Sequence, residues 1–241
     1  MRLPPWWWRQ SKTDPTENRL ARFRKVLEAA QNSRVYQASL RTANLDNRKA
    51  LKRLRDIKSG LAGLGVFTIE QTRVRPQRQM ASPLKLTSPL LAGGSADLYW
   101  NSNGCALVQE RAAGTSRHRA LFIRIGLDEG LLSAMDREGL WYRHGVPMFE
   151  HLVGMDGELM AWECEAHRGL HVVEENAVFE LVEGELLLTS LTDLLQPTIQ
   201  TRTGWSAQIE NEPCDCGRPG PRLTGLRELA TANKLAAAAH A

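Results

Sequence analysis

WECEAHRGLHV (residues 162–172), AVFELV (177–182), GELLLTSL (184–191) and PCDCGRPGPRL (213–223) carry the strongest folding signals in the chain. Three of the four cysteines lie in them, Cys164, Cys214 and Cys216, together with His167 and His171. Two clusters of soft ligands, joined by runs that read as strands, imply a fold that brings the clusters together. Zinc takes four Cys or His ligands in a tetrahedron, because thiolate and neutral imidazole suit its borderline softness. Cys164, Cys214, Cys216 and one histidine supply that number. His171 follows Cys164 past a turn at Arg168-Gly169, and His167 is the alternative ligand in a C-x-x-H spacing. Pro213, Gly217 and Pro219 give C-D-C the bend of a knuckle. Four protein ligands leave no open position for a substrate, so a metal here is structural. The competing reading is buried free thiols and hydrogen-bonded histidines.

The chain outward from this stretch has an ordinary globular composition. Its 241 residues are 42% hydrophobic and 24% charged, enough to bury a core. A net charge of +4 is too mild for a nucleic-acid footprint. Residues 1–10 (MRLPPWWWRQ) lack the apolar run and cleavage site of a secretory signal, and Trp6, Trp7 and Trp8 are expected to cover their own domain. No run of about 18 apolar residues exists, so no transmembrane segment is expected. C-x-C in such a chain argues for metal before disulfide, and a cytoplasmic location is expected.

The order of elements points to an α/β fold. Leu20, Phe23, Val26, Leu27 and Ala30 recur at helical spacing, so residues 16–40 read as one helix, with Arg19, Arg22, Arg24 and Lys25 on a solvated face. Residues 47–57 read as a second basic helix, with Leu51, Leu54 and Ile57 inward. Residues 72–95 hold three prolines and read as an irregular crossing. DLYW and CALVQE follow as strands around a turn at Asn103-Gly104, and then ALFIRI. Residues 128–144 return to helical spacing, and Gly145-Val146-Pro147 leads into the strand-like VPMFEHLV, a βαβ unit. From Glu158 onward strands dominate. The expected organisation is a helical N-terminal segment (1–71), an α/β segment with a mixed sheet and crossing helices (72–157), a β-rich zinc-knuckle-like subdomain (158–226) and an Ala-rich helix or tail (227–241).

ECEAHRGLHVVEENAVFELV (163–182), GELLLTSLTDLLQPTIQTRTG (184–204) and EPCDCGRPGPRL (212–223), in that order, resemble the phenylacetate–coenzyme A ligase group of adenylate-forming enzymes. SRVYQASL (33–40) looks like that family's opening. The close match covers about sixty residues. The resemblance implies ATP- and magnesium-dependent activation of a carboxylic acid to an acyl-adenylate, followed by transfer to coenzyme A. Such chemistry needs a Gly/Ser/Thr-rich loop whose N–H groups approach phosphate. The nearest loop is AAGTSRHRA (112–120), without the family's run of small residues. Asp156 and Glu158 stand in for the family's metal-binding Glu. Arg202 keeps its place in TRTG (201–204), but Trp205 occupies the position of the family's ribose-binding Asp, and an indole accepts no hydrogen bond. About eighteen residues follow the knuckle, so the family's lysine-bearing C-terminal domain is not expected. Glu163, Glu165, Glu174, Glu175 and Glu180 are expected on solvent-facing strands and turns, or orienting a ligating histidine. Two expectations follow: a shortened, degenerate ligase that relies on a protein partner for the missing parts, or a non-catalytic zinc-stabilised α/β domain that binds a protein or a small carboxylate.

Overall fold

A computed structural model describes residues 15–72, 85–87, 95–100, 106–109, 120–127 and 130–229. The tryptophans at 6–8, the turn at 103–104 and the candidate phosphate loop before Ala120 lie outside the described residues, as does the chain from residue 230 onward.

The N-terminal segment is helical, but in shorter pieces than its periodicity implies. Residues 16–40 divide into α1 (Pro15–Ala30) and α2 (Arg34–Thr42). The chain turns at Gln31 and Asn32, and Ser33 stands in the N-cap position of α2, where its residue type is favoured over helix interiors. Residues 47–57 divide likewise into α3 (Arg48–Arg53) and the start of α4 (Ile57–Ala62). Asn47 and Asp56 each accept a backbone N–H three residues on, at 2.9 and 2.7 Å, so two caps start two helices. Folding back in this way lets Phe23, Leu27, Tyr36, Leu40, Leu51 and Leu61 share one core.

That core also contains Leu191 and Ile199, so the helices are not a separate unit. The Tyr36 hydroxyl donates to the Pro197 carbonyl at 2.6 Å and accepts the Ile199 N–H at 3.3 Å. Phe67, just before α5 (Ile69–Thr72), exchanges backbone hydrogen bonds with Gln200 and Arg202. The basic face of α1 is not simply solvated. Arg19 pairs with Glu174 at 3.2 Å, Arg22 bonds Asn176 at 3.1 Å, and Arg24 reaches the Leu54 carbonyl.

Three sheets follow among the described residues. β1 (Lys85–Thr87), β2 (Ser95–Trp100) and β3 (Ala106–Gln109) form an antiparallel meander. β4 (Leu121–Gly126), α6 (Ala134–His144) and β5 (Met148–Val153) form the expected βαβ unit, with β4 and β5 parallel. Ser133 caps α6 by accepting the Asp136 N–H at 3.1 Å, so the helix starts later than its apolar spacing does. Gly145 ends it at φ 62, where a left-handed residue is needed.

β5 continues antiparallel through β6 (Leu159–Glu163), β7 (Leu170–Val172), β12 (Arg222–Glu228) and β11 (Trp205–Glu210) into one six-stranded sheet. β8 (Ala177–Val182), β9 (Glu185–Ser190) and the short β10 (Thr201–Arg202) make the third sheet. The faces of these two sheets meet in a core of Leu152, Met160, Leu170, Leu186, Leu188 and Trp205. β12 runs through Glu228, so the first residues assigned to an Ala-rich tail are strand. The mixed α/β class holds, and among the described residues no helix is long and apolar enough to cross a membrane.

Candidate metal centre

Cys164 stands where β6 gives way to a tight turn. Its carbonyl accepts the His167 N–H at 3.0 Å, and the turn closes through His167 at φ 50 and Gly169 at φ 91. Gly169 is required twice over, since a Cβ there would also collide with the Leu223 carbonyl oxygen. β7 then carries His171 into register between Trp162 of β6 and Arg222 of β12. The other two thiols, Cys214 and Cys216, sit on a similar bend, in which the Gly217 N–H, at φ 78, donates to the Cys214 carbonyl at 2.8 Å.

These turns gather Cys164, His171, Cys214 and Cys216, whose ligand atoms all lie within 4.8 Å of one another. Cys164 Sγ is 3.7 Å from Cys214 Sγ, and Cys216 Sγ is 3.3 Å from His171 Nε2. Zn–S bonds of about 2.3 Å in a tetrahedron place sulfurs ~3.8 Å apart, so the donor set fits a zinc-sized ion. No sulfur is in a disulfide. Three of the four residues are buried and Cys216 is half-buried.

The electrostatics suit a cation. Burial pushes the Cys164 thiol up to about 11. At Cys216 burial also acts upward, but hydrogen bonds from the Arg218 main chain and side chain turn the net shift downward. Burial, then the nearby Arg222 and Arg218, lower the His171 imidazole, which favours the neutral form that ligates metal. A dication among these groups would ionise the thiols that burial keeps protonated.

His167 is not in the cluster. Its Nδ1 lies 2.8 Å from Glu163 Oε1, and its ring stacks on Phe149 with centroids 5.3 Å apart. The choice between the two histidines therefore falls on His171 by geometry. Glu163 is not solvent-facing either. It is buried and accepts two hydrogen bonds from Arg137 of α6, at 2.9 and 3.0 Å, while Arg137 also pairs with Glu150. Glu165 and Glu174 are held by Arg218 and Arg19.

Trp162 and Arg218 were not singled out by the sequence. Trp162 stacks on His171 at 5.4 Å, and the Arg218 guanidinium lies 5.0 Å over Trp162 while holding Glu165. The usable signal was the two-residue strand period, which puts Trp162 and Cys164 on one face.

The residues with implied nucleotide roles are engaged elsewhere. Asp156 is exposed in the β5–β6 turn, accepting from the Thr192 hydroxyl at 2.6 Å and the Glu158 N–H at 3.2 Å. Arg202 pairs with Glu185 and, at 3.5 Å, with Glu183. Trp205 is only 3% exposed and belongs to the inter-sheet core.

No protein-family model matches the chain, and no curated protein sequence matches it. Among solved structures it is similar to 2-hydroxyisobutyryl-CoA ligase. Against that ligase in complex with 2-HIB-AMP and CoA in the thioesterification state, the TM-score is 0.58 at 12% identity, over 96% of this chain and 73% of that one. Against the open conformation with the same ligands the TM-score is 0.39 at 18% identity, over 46% of this chain and 27% of that one. In that comparison the chain spans about a quarter of the ligase's length. The first of these likenesses is one of fold, shared with an adenylate-forming CoA ligase.

Proposed function

We propose that this chain is a divergent domain of the phenylacetate–coenzyme A ligase kind, holding a structural zinc and binding a carboxylic acid or its adenylate without completing ligation alone. The observation that carries the reading is Trp205. It stands in TRTGW (201–205) where the resembling family has the Asp that holds the ribose hydroxyls, and its indole is packed between two sheets. A core tryptophan cannot swing aside to let a carboxylate do that work. Zinc would be held by Cys164, His171, Cys214 and Cys216, all four positions filled by protein, so its contribution is to folding and not to the reaction. A protein partner that supplies the nucleotide-handling parts is the proposed route to any ligase activity.

Pyrophosphate release from ATP and magnesium, measured with a panel of aryl and fatty acids with and without coenzyme A, tests the reading. The expected result is no acid-dependent release by the isolated chain. Acid-dependent turnover would overturn the proposal in favour of an active ligase. Melting shifts on adding acyl-adenylate analogues separate ligand binding from turnover, because a ligand that binds the folded state raises its apparent stability.

A further inference from the structure

α6 presents an apolar face to solvent. A helix that crosses over a sheet buries one stripe and ordinarily shows polar residues on its other side. α6 buries Leu140 and half-buries Arg137 and His144, which together make that stripe. Away from it stand Met135, Trp141 and Tyr142, which are 78%, 51% and 88% exposed. Met135 and Tyr142, seven residues apart, share one side of the helix with Gly139, where an added Cβ would meet nothing within 4 Å. At 3.6 residues per turn, the exposed Glu138 lies between Trp141 and Tyr142 around the helix. Large apolar side chains gathered in this way mark a contact surface.

The path of the chain says what covers it. The Glu228 carboxylate, at the end of β12, accepts the Leu131 N–H at 2.9 Å, two residues before the N-cap of α6. The Leu229 N–H donates to the Gly204 carbonyl at 2.8 Å. The chain therefore leaves β12 beside the start of α6, and residues 230–241 (ATANKLAAAAHA) follow from there.

Seven of these twelve residues are alanine, the strongest helix former. Ala232, Leu235, Ala236 and Ala239 recur at helical spacing on one side. So short a helix is marginal alone in water, and packing of its apolar side has to hold it. Twelve helical residues span about 18 Å and the α6 helix about 16 Å, so the two match in length. A helix that starts beside Ala134 and runs parallel to α6 keeps step with it, because both rise equally per residue. Lys234 then stands level with Glu138, and Leu235 with Gly139, in the gap between Met135 and Tyr142. A second copy packed on this face through a two-fold at Gly139 would instead set two Glu138 carboxylates near each other, which is unfavourable.

We propose that residues 230–241 form a helix docked parallel to α6, covering Met135, Trp141 and Tyr142, with Leu235 seated over Gly139. The contact uses no residue of the metal centre and none with an implied nucleotide role.

Heteronuclear NMR of the full chain, labelled at alanine and leucine methyls, tests it. Expected are helical shifts over residues 232–239 and nuclear Overhauser contacts from the Leu235 methyls to the Tyr142 ring. Leu235→Asp and Tyr142→Ser disturb the contact from its two sides, and Tyr142 lies outside every core of the fold. Each variant should lose those contacts and speed amide exchange at residues 234–239 about tenfold or more. Random-coil shifts over residues 230–241 in the parent would overturn the proposal, as would a helical tail without contacts to α6. Protection of α6 that grows with protein concentration and survives Leu235→Asp would overturn it too, because a second copy would then be the cover.

Discussion

Cys164 Sγ and Cys214 Sγ lie 3.7 Å apart although fifty residues separate them, so two turns on different strands are fixed against each other at one point. That spacing suits two thiolates on one ion, and also a thiol–thiol hydrogen bond between free cysteines. Zinc is expected at one per chain in elemental analysis of purified protein. Cys164→Ser and Cys214→Ser should each abolish it and unfold the β-rich region, since structural zinc contributes on the order of 10 kcal/mol in small sites. Unchanged melting in both variants, with or without chelator, would count against the metal.

Gly169→Ala should cost at least about 3 kcal/mol, because it combines a positive φ with a Cβ driven into the Leu223 carbonyl. The turn that carries Cys164 toward His171 then cannot close. Denaturant melts should show the loss, and zinc content should fall with it. Full stability in the variant would mean that the turn adapts.

Trp205→Ala should destabilise by about 3–5 kcal/mol, the usual cost of emptying a large aromatic from a core. Trp205→Asp should be worse, since it also buries an unpaired carboxylate. Placing at 205 the Asp of the family that the sequence resembles therefore should not confer nucleotide binding. A stable Trp205→Asp protein that binds ATP would refute both statements.

His151, 0% exposed on β5, is pushed down to about 4 by burial, with the Phe149 carbonyl opposing the shift. Its neutral form is the one that the fold favours. Its share of stability is complete above the unfolded value near 6.5, and is lost as pH falls through about 4. The loss amounts to roughly 3 kcal/mol. In urea melts from pH 7 to pH 4, His151→Gln should show a flatter pH dependence than the parent. Parallel curves would rule out this residue as the source.

The single Arg137 guanidinium bridges Glu150 and Glu163 and ties α6 to the strand that leads to Cys164. Burial raises the Glu150 carboxyl although Arg137 pulls against it. Arg137→Ala should cost about 2 kcal/mol at neutral pH by leaving the buried Glu163 and the half-buried Glu150 without that cation. Because a carboxyl raised in the fold binds its proton there first, the deficit should narrow as pH falls. Thermal melts at pH 8 and pH 5 would reveal a deficit that stays constant or widens, either of which contradicts this account.

The local pieces are legible in the amino-acid sequence. The strand–helix–strand order around residues 121–153, the stop at Gly145 and the bends at 167–169 and 214–217 follow from periodicity and turn chemistry that act over a few residues. It also narrowed the candidate ligands to three cysteines and one of two histidines. Helix breaks at Ser33 and Asp56 were readable from their cap residues but were hidden by the continuous apolar spacing across them. Only the tertiary structure selected His171. Strand register sets it opposite Trp162 and beside Arg222, and a slip of one residue would send it to the other face. Tertiary packing likewise seated Trp205 between two sheets, clamped the N-terminal helices to Pro197 and Ile199, and drew Arg137 to Glu163. These are contacts between residues far apart in the chain, whose partners no local pattern specifies.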